Sequence, residues 1–79
     1  MVTVRYFAGA RAAVGVDTES REAGTLADLV AQVVEAHGER LERVLGACSF
    51  LVDGTSTRDA TTALRDGAVV DVLPPFAGG

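Results

Sequence analysis

Leu26, Leu29, Val30, Val33 and Val34 recur at helical spacing, the strongest periodic signal in a chain of only 79 residues. A single amphipathic helix has to bury its apolar stripe against a second layer. Thr25 opens the helix, and Asp28 three residues later resembles a capping box with a shorter acid. Gly38 after His37 supplies a C-cap, and segment 39–45 before Gly46 leaves room for one or two further helical turns. A chain of this size makes one domain and buries only about 60% of its unfolded surface. The facing layer must therefore come from the short apolar runs on either side of the helix.

Those runs read as strands. Val2, Val4 and Tyr6 alternate with Thr3, Arg5 and Phe7, the two-residue period of a strand with one buried face, and the first set is expected to face the core. Residues 8–15 read as a small-residue connection with a single helical turn at most, leading to a polar second strand near residues 16–22. Residues 48–52 form an apolar run closed by Asp53-Gly54, and residues 68–73 form another, introduced by Asp66-Gly67. Segment 58–64 has too few apolar residues for a core helix and reads as a short crossing strand or turn. The order β-β-α-β-(β)-β predicts an α+β roll, with a mixed sheet of four to five strands and one main helix on one face. The domain is expected over residues 1–73, and residues 74–79 as a flexible tail.

Charge and composition exclude several functions. The net charge is −4, and all seven basic residues are arginines. Nucleic-acid binding needs a basic surface, so no nucleic-acid partner is expected. Without lysine the chain also offers no side-chain amine as an isopeptide acceptor. No apolar stretch approaches the roughly 18 residues of a membrane span, and the opening residues lack a signal-peptide layout. A cytoplasmic protein with no membrane association is expected. Cys48 is the single cysteine, which rules out an intrachain disulfide framework and a cysteine-based metal site.

Side chains offer little chemistry. His37 sits at the predicted helix end, where the dipole favours an imidazolium. Cys48 shares strand parity with Phe50 and Val52 and is expected to face inward as a small hydrophobe. Asp17, Glu19, Glu22, Asp28, Glu35, Glu39 and Glu42 fall on polar positions and read as a solvated surface. Asp53 and Asp66 each precede glycine, so turn formation explains both. No Gly-rich segment has the spacing of a phosphate loop, and no bound cofactor or metal is expected.

What remains is the end of the chain, Leu73-Pro74-Pro75-Phe76-Ala77-Gly78-Gly79. The prolines stop the strand and launch the tail, and two glycines carry the carboxylate where no Cβ could pass. Extended at about 3.3 Å per residue, Phe76 to Gly79 reaches roughly 13 Å, enough to enter a partner's active site. The α-carboxyl, with an ordinary pKa of about 3.5, is ionised at neutral pH and is a poor electrophile. To form a thioacid or an amide it must first become an acyl-adenylate or similar ester. Another protein has to supply that ATP chemistry.

With Val4-Arg5-Tyr6-Phe7-Ala8-Gly9-Ala10-Arg11 near the start, Leu64-Arg65-Asp66-Gly67-Ala68-Val69-Val70 and the Pro-Pro-Phe-Ala-Gly-Gly tail, the whole chain resembles the ubiquitin-like β-grasp sulfur carriers (MoaD/ThiS type). Within them it is similar to the small subunits of molybdopterin synthase. The resemblance implies that an E1-like adenylyltransferase (MoeB-type) adenylates Gly79 with ATP. A sulfur donor protein then leaves a C-terminal thiocarboxylate. It further implies that the tail, including Gly78 and Ala77, inserts into a large synthase subunit (MoaE-type) in a heterotetramer, where it gives sulfur to molybdopterin. Catalytic side chains would sit on that partner. Related carriers serve cysteine, thiamin and tRNA-thiolation pathways, and a ubiquitin-like protein modifier or plain binding module is the alternative of a different class. The strand parity independently predicts where a partner touches: Arg5, Phe7, Leu51 and Leu73 on the sheet face away from the helix, with Pro75 and Phe76 beside them.

Overall fold

The computed structural model describes residues 1–75. Along the chain run β1 (Val2–Tyr6), α1 (Ala8–Val14), β2 (Thr18–Arg21), α2 (Leu26–His37), α3 (Glu39–Leu45), β3 (Ser49–Val52), β4 (Thr55–Thr57) and β5 (Val69–Leu73). The strands form one mixed sheet in the order β2-β1-β5-β3-β4. Its centre is the parallel pair of β1 and β5, while β2, β3 and β4 join antiparallel to their neighbours. The first and last strands of the chain thus lie side by side in the middle.

The alternation of β1 has the expected sense. Val2, Val4 and Tyr6 are buried, and so are Val70 and Val72 of β5, all on the face that the helices cover. Against them pack Leu26, Leu29 and Val33 of α2, Leu41 and Leu45 of α3, and Ala10 of α1. Each fully buried aliphatic side chain contributes about 1.5–3 kcal/mol, so this contiguous cluster is the main source of stability.

Helix α2 is capped from two directions. Thr25 Oγ1 accepts the Asp28 N–H at 3.1 Å, and the Asp28 carboxylate reaches back to the Gly24 N–H at 3.2 Å. The box therefore closes one residue earlier than a standard one. Two further first-turn donors, Leu26 and Ala27 N–H, bond to the carbonyls of Thr62 and Ala60, each at 2.9 Å. Segment 58–64 is accordingly a turn that caps α2. The short strand expected there lies just before it, in β4, because Asp53 and Gly54 both take positive φ (49° and 85°). Such a two-residue turn sends the chain straight back along β3.

The connection between β1 and β2 also differs from expectation. Instead of one helical turn it holds the seven-residue α1, ended by Gly15 at φ 88°, whose N–H donates to the Arg11 carbonyl at 2.8 Å. Alanine at positions 8, 10, 12 and 13 favours a helix, and with so little side-chain bulk it lies close to α3. Segment 39–45, given room for extra turns, forms α3, set off from α2 by Gly38 at φ 85°.

Candidate docking face and C-terminal exit

β5 leads the chain out through the centre of the sheet. Leu73 pairs with Ser49 at the start of β3, and the Phe7 N–H donates to the Val72 carbonyl at 3.2 Å. Pro74 and Pro75 then end the ladder, since neither has an N–H to give. Pro75 is exposed. Phe76, Ala77, Gly78 and Gly79, the expected anchor, tail and reactive terminus, lie outside the described residues.

Strand registers assemble a face beside this exit. Arg5 of β1 sits opposite Asp71 of β5, which in turn sits opposite Leu51 of β3. Because Val70 and Val72 point inward, Asp71, Leu73 and Val69 point away from the helices. Phe7 follows Arg5 at the same parity and is 37% exposed, while Leu51 and Leu73 are half-buried. The structure therefore brings Arg5, Phe7, Leu51 and Leu73 together on one face, as their parity predicts.

Asp71 is the residue that the sequence reading missed. It is buried, with only 8% exposure, on the central strand of a face that mixes Phe7, Leu51, Val69 and Leu73 with hydroxyl side chains such as Thr3 and Ser49. Arg5 grips it through Nε to Oδ1 at 2.5 Å and Nη2 to Oδ2 at 2.8 Å, a bidentate pair. The Asp71 hydrogen bond pushes the Arg5 pKa further up. The guanidinium also lies 6.0 Å from the centre of the Phe7 ring. The available signal was an acid between two inward valines, at a parity shared with Arg5.

Behind the sheet, Glu19 corrects the expectation of a solvated acid. Its side chain is only 14% exposed and gathers three donors: Tyr6 Oη at 2.9 Å, Arg21 Nε at 2.6 Å and His37 Nε2 at 2.6 Å. Burial pushes the Glu19 carboxyl up, but the bonds from Arg21, His37 and Tyr6 outweigh it and hold the pKa below the ordinary value. Burial, with Glu19 as acceptor, pushes the Tyr6 hydroxyl well up. His37 stands at the end of α2 as expected, but it is engaged by Glu19 and packs edge-on against Tyr6 at 6.3 Å. The cluster ties β1, β2 and α2 together.

Cys48 is buried as expected, its Sγ donating to the Val44 carbonyl at 3.1 Å, and burial pushes its thiol pKa up. That setting disfavours the thiolate. It forms part of an apolar groove of about 590 Å³ on the helix side, with Val30, Val34, Leu45, Phe50 and Arg58 among the lining residues. Asp53 and Asp66 do sit in turns, and each does more. Asp53 accepts the Val69 N–H at 2.9 Å, which lowers its pKa, and Asp66 holds the Met1 amine. Among the described residues no three His, Cys, Asp or Glu side chains gather as a metal site, and no helix is long and apolar enough to cross a membrane.

Comparison with known proteins decides the family: residues 4–79 match the ThiS family. The chain belongs to it. A molybdopterin synthase sulfur carrier subunit of Chlamydomonas reinhardtii is 37% identical over 82 residues, covering 99% of this chain and 98% of the relative. Subunit 1 and 2 of the molybdopterin-converting factor from Helicobacter pylori are known as a protein–protein complex, and a chain of it matches with TM-score 0.77 and 31% identity, over 99% of this chain and 97% of that one. SAMP1 from Haloferax volcanii matches with TM-score 0.83 and 25% identity, over 99% and 98% of the two chains. The sheet order and helix placement of this ThiS-family chain are those of the ubiquitin-like β-grasp, an α+β fold.

Proposed function

We propose that this ThiS-family chain is a sulfur carrier of the molybdopterin synthase type, in which Gly79 becomes a thiocarboxylate and presents sulfur to a large subunit docked on the open sheet face. One observation supports the reading above all. The central strand β5 ends beside the sheet face that carries Phe7, Leu51 and Leu73, and past the exposed Pro75 the sequence runs on as Phe76-Ala77-Gly78-Gly79, the segment read as the reactive tail. Side chains offer no rival centre among the described residues, since His37 is engaged by Glu19 and the Cys48 thiol is buried.

The chemistry follows from the carboxylate's weak electrophilicity. An E1-like adenylyltransferase holds ATP. A Gly79 carboxylate oxygen attacks the α-phosphorus, and pyrophosphate leaves. A persulfide sulfur of the donor protein then adds to the acyl carbon, and AMP leaves with the oxygen. A second thiol attacks the donor cysteine sulfur of the resulting acyl disulfide, the S–S bond breaks, the donor cysteine is left in a disulfide with that thiol, and the Gly79 thiocarboxylate is released. This chain itself holds no cofactor and contributes a terminus that fits a narrow channel, with Phe76, Phe7 and Leu73 docking its base. The names of the Chlamydomonas relative and the Helicobacter complex favour the molybdopterin pathway and a protein partner. We read that partner as the large subunit, in a cytoplasmic heterotetramer of two small and two large subunits.

Copurification tests the pathway. Tagged chain expressed in its own organism is expected to recover a molybdopterin synthase large subunit. Recovery of a cysteine-synthase-like partner instead would move the carrier to another thio-metabolite, and amide adducts of Gly79 would make it a protein modifier.

A further inference from the structure

Strand registers place Thr3, Arg5, Leu51, Val69, Asp71 and Leu73 on the open sheet face, and Arg5 and Asp71 are its charged pair. Asp71 is the buried charged residue among those described. An acid at the centre of a docking face is costly unless it is paired and fully hydrogen-bonded, and Arg5 meets that need with two parallel bonds. The pairing leaves something over. A guanidinium has five N–H donors, and Asp71 takes one on Nε and one on Nη2. Both donors on Nη1 and the second on Nη2 make no hydrogen bond among the described residues. Two of them point in parallel off the end of the group, the spacing that a second carboxylate matches.

We propose that Arg5, held side-on by Asp71, is a specificity device that takes an Asp or Glu carboxylate of the docked partner end-on. The inference rests on the docking face named under the proposed function and adds the chemistry that the partner must carry. A partner laid flat on Phe7, Leu51 and Leu73 covers the Arg5 end at the same time. A purely apolar surface would bury its donors unsatisfied, so it is selected against. The clamp to Asp71 and the nearby Phe7 ring remove rotamer freedom before docking, so less is lost on binding. The other strand arginine, Arg21, is engaged by Glu19 on the opposite face.

Calorimetric titration of the full chain with the large synthase subunit of the same organism, at low and high salt, tests this. Two variants are compared, with folding checked by circular dichroism. Arg5→Lys keeps the charge but loses the fork. Arg5→Leu/Asp71→Ala removes both charges together, so that no buried acid is stranded. Arg5→Lys is expected to bind about tenfold more weakly, and the double variant about ten- to a hundredfold more weakly with a flattened salt response. A double variant that binds as tightly as wild type overturns the inference alone. Weaker binding with an unchanged salt response places a neutral acceptor there and overturns the carboxylate. If the wild-type chain does not bind the large subunit at all, the proposed function fails and the inference falls with it.

Discussion

Glu19 joins three elements through one carboxylate, so its loss is felt beyond its own strand. Glu19→Gln keeps the shape but removes the charge that Arg21, His37 and Tyr6 share, and is expected to cost about 1–3 kcal/mol in urea denaturation at neutral pH. The pH dependence has a definite sign. Because the folded-state pKa lies below the ordinary 4.5, Glu19 stabilises the fold above that pH, and the contribution is lost as pH falls through the folded value. The stability gap between wild type and variant should therefore close on acidification below about pH 4.5; a gap that stays constant would contradict the network. Neither this cluster nor the Arg5–Asp71 pair could be read as a pair from local sequence, because the partners meet only through sheet register. The clue for Glu19 was Tyr6. An inward tyrosine needs an acceptor for its hydroxyl, and the acid on the neighbouring strand β2 supplies it.

Helix α2 was legible because its stripe and its Thr25 cap are local signals, each visible within a few residues. Thr25→Ala removes the bond to the Asp28 N–H and should cost about 1 kcal/mol, with an unchanged denaturant m-value. No loss of stability would mean that the carbonyls of Thr62 and Ala60 suffice to cap the helix. Elements defined by tertiary contact were harder to read. α1 has no amphipathic stripe beyond small alanines, and its only fully buried side chain is Ala10, so the pattern looks like a linker. β4 has three residues and no alternation, and the Asp53-Gly54 turn marks it better than its own side chains do. The exit at Leu73-Pro74-Pro75 was legible for the opposite reason, since proline acts on the backbone directly.

At the scale of the whole molecule, the β-grasp sets its first and last strands side by side at the centre of the sheet, so the chain leaves from the middle of the sheet with the open sheet face around it. That face was legible as a set of parities in β1, β3 and β5. Its central acid was not legible, because Asp71 meets Arg5 only through the register of the first and last strands. In the proposed function the terminus is the reactive group and the rest of the molecule is its holder. Intact-mass spectrometry of the chain after incubation with its E1-like activating enzyme, ATP and a sulfur donor tests this most directly. A mass gain equal to replacement of one oxygen by sulfur is expected, mapped to Gly79 and abolished when Gly79 is deleted. An unchanged mass with an activating enzyme that works on its other substrates, or sulfur found on Cys48 instead, would contradict it.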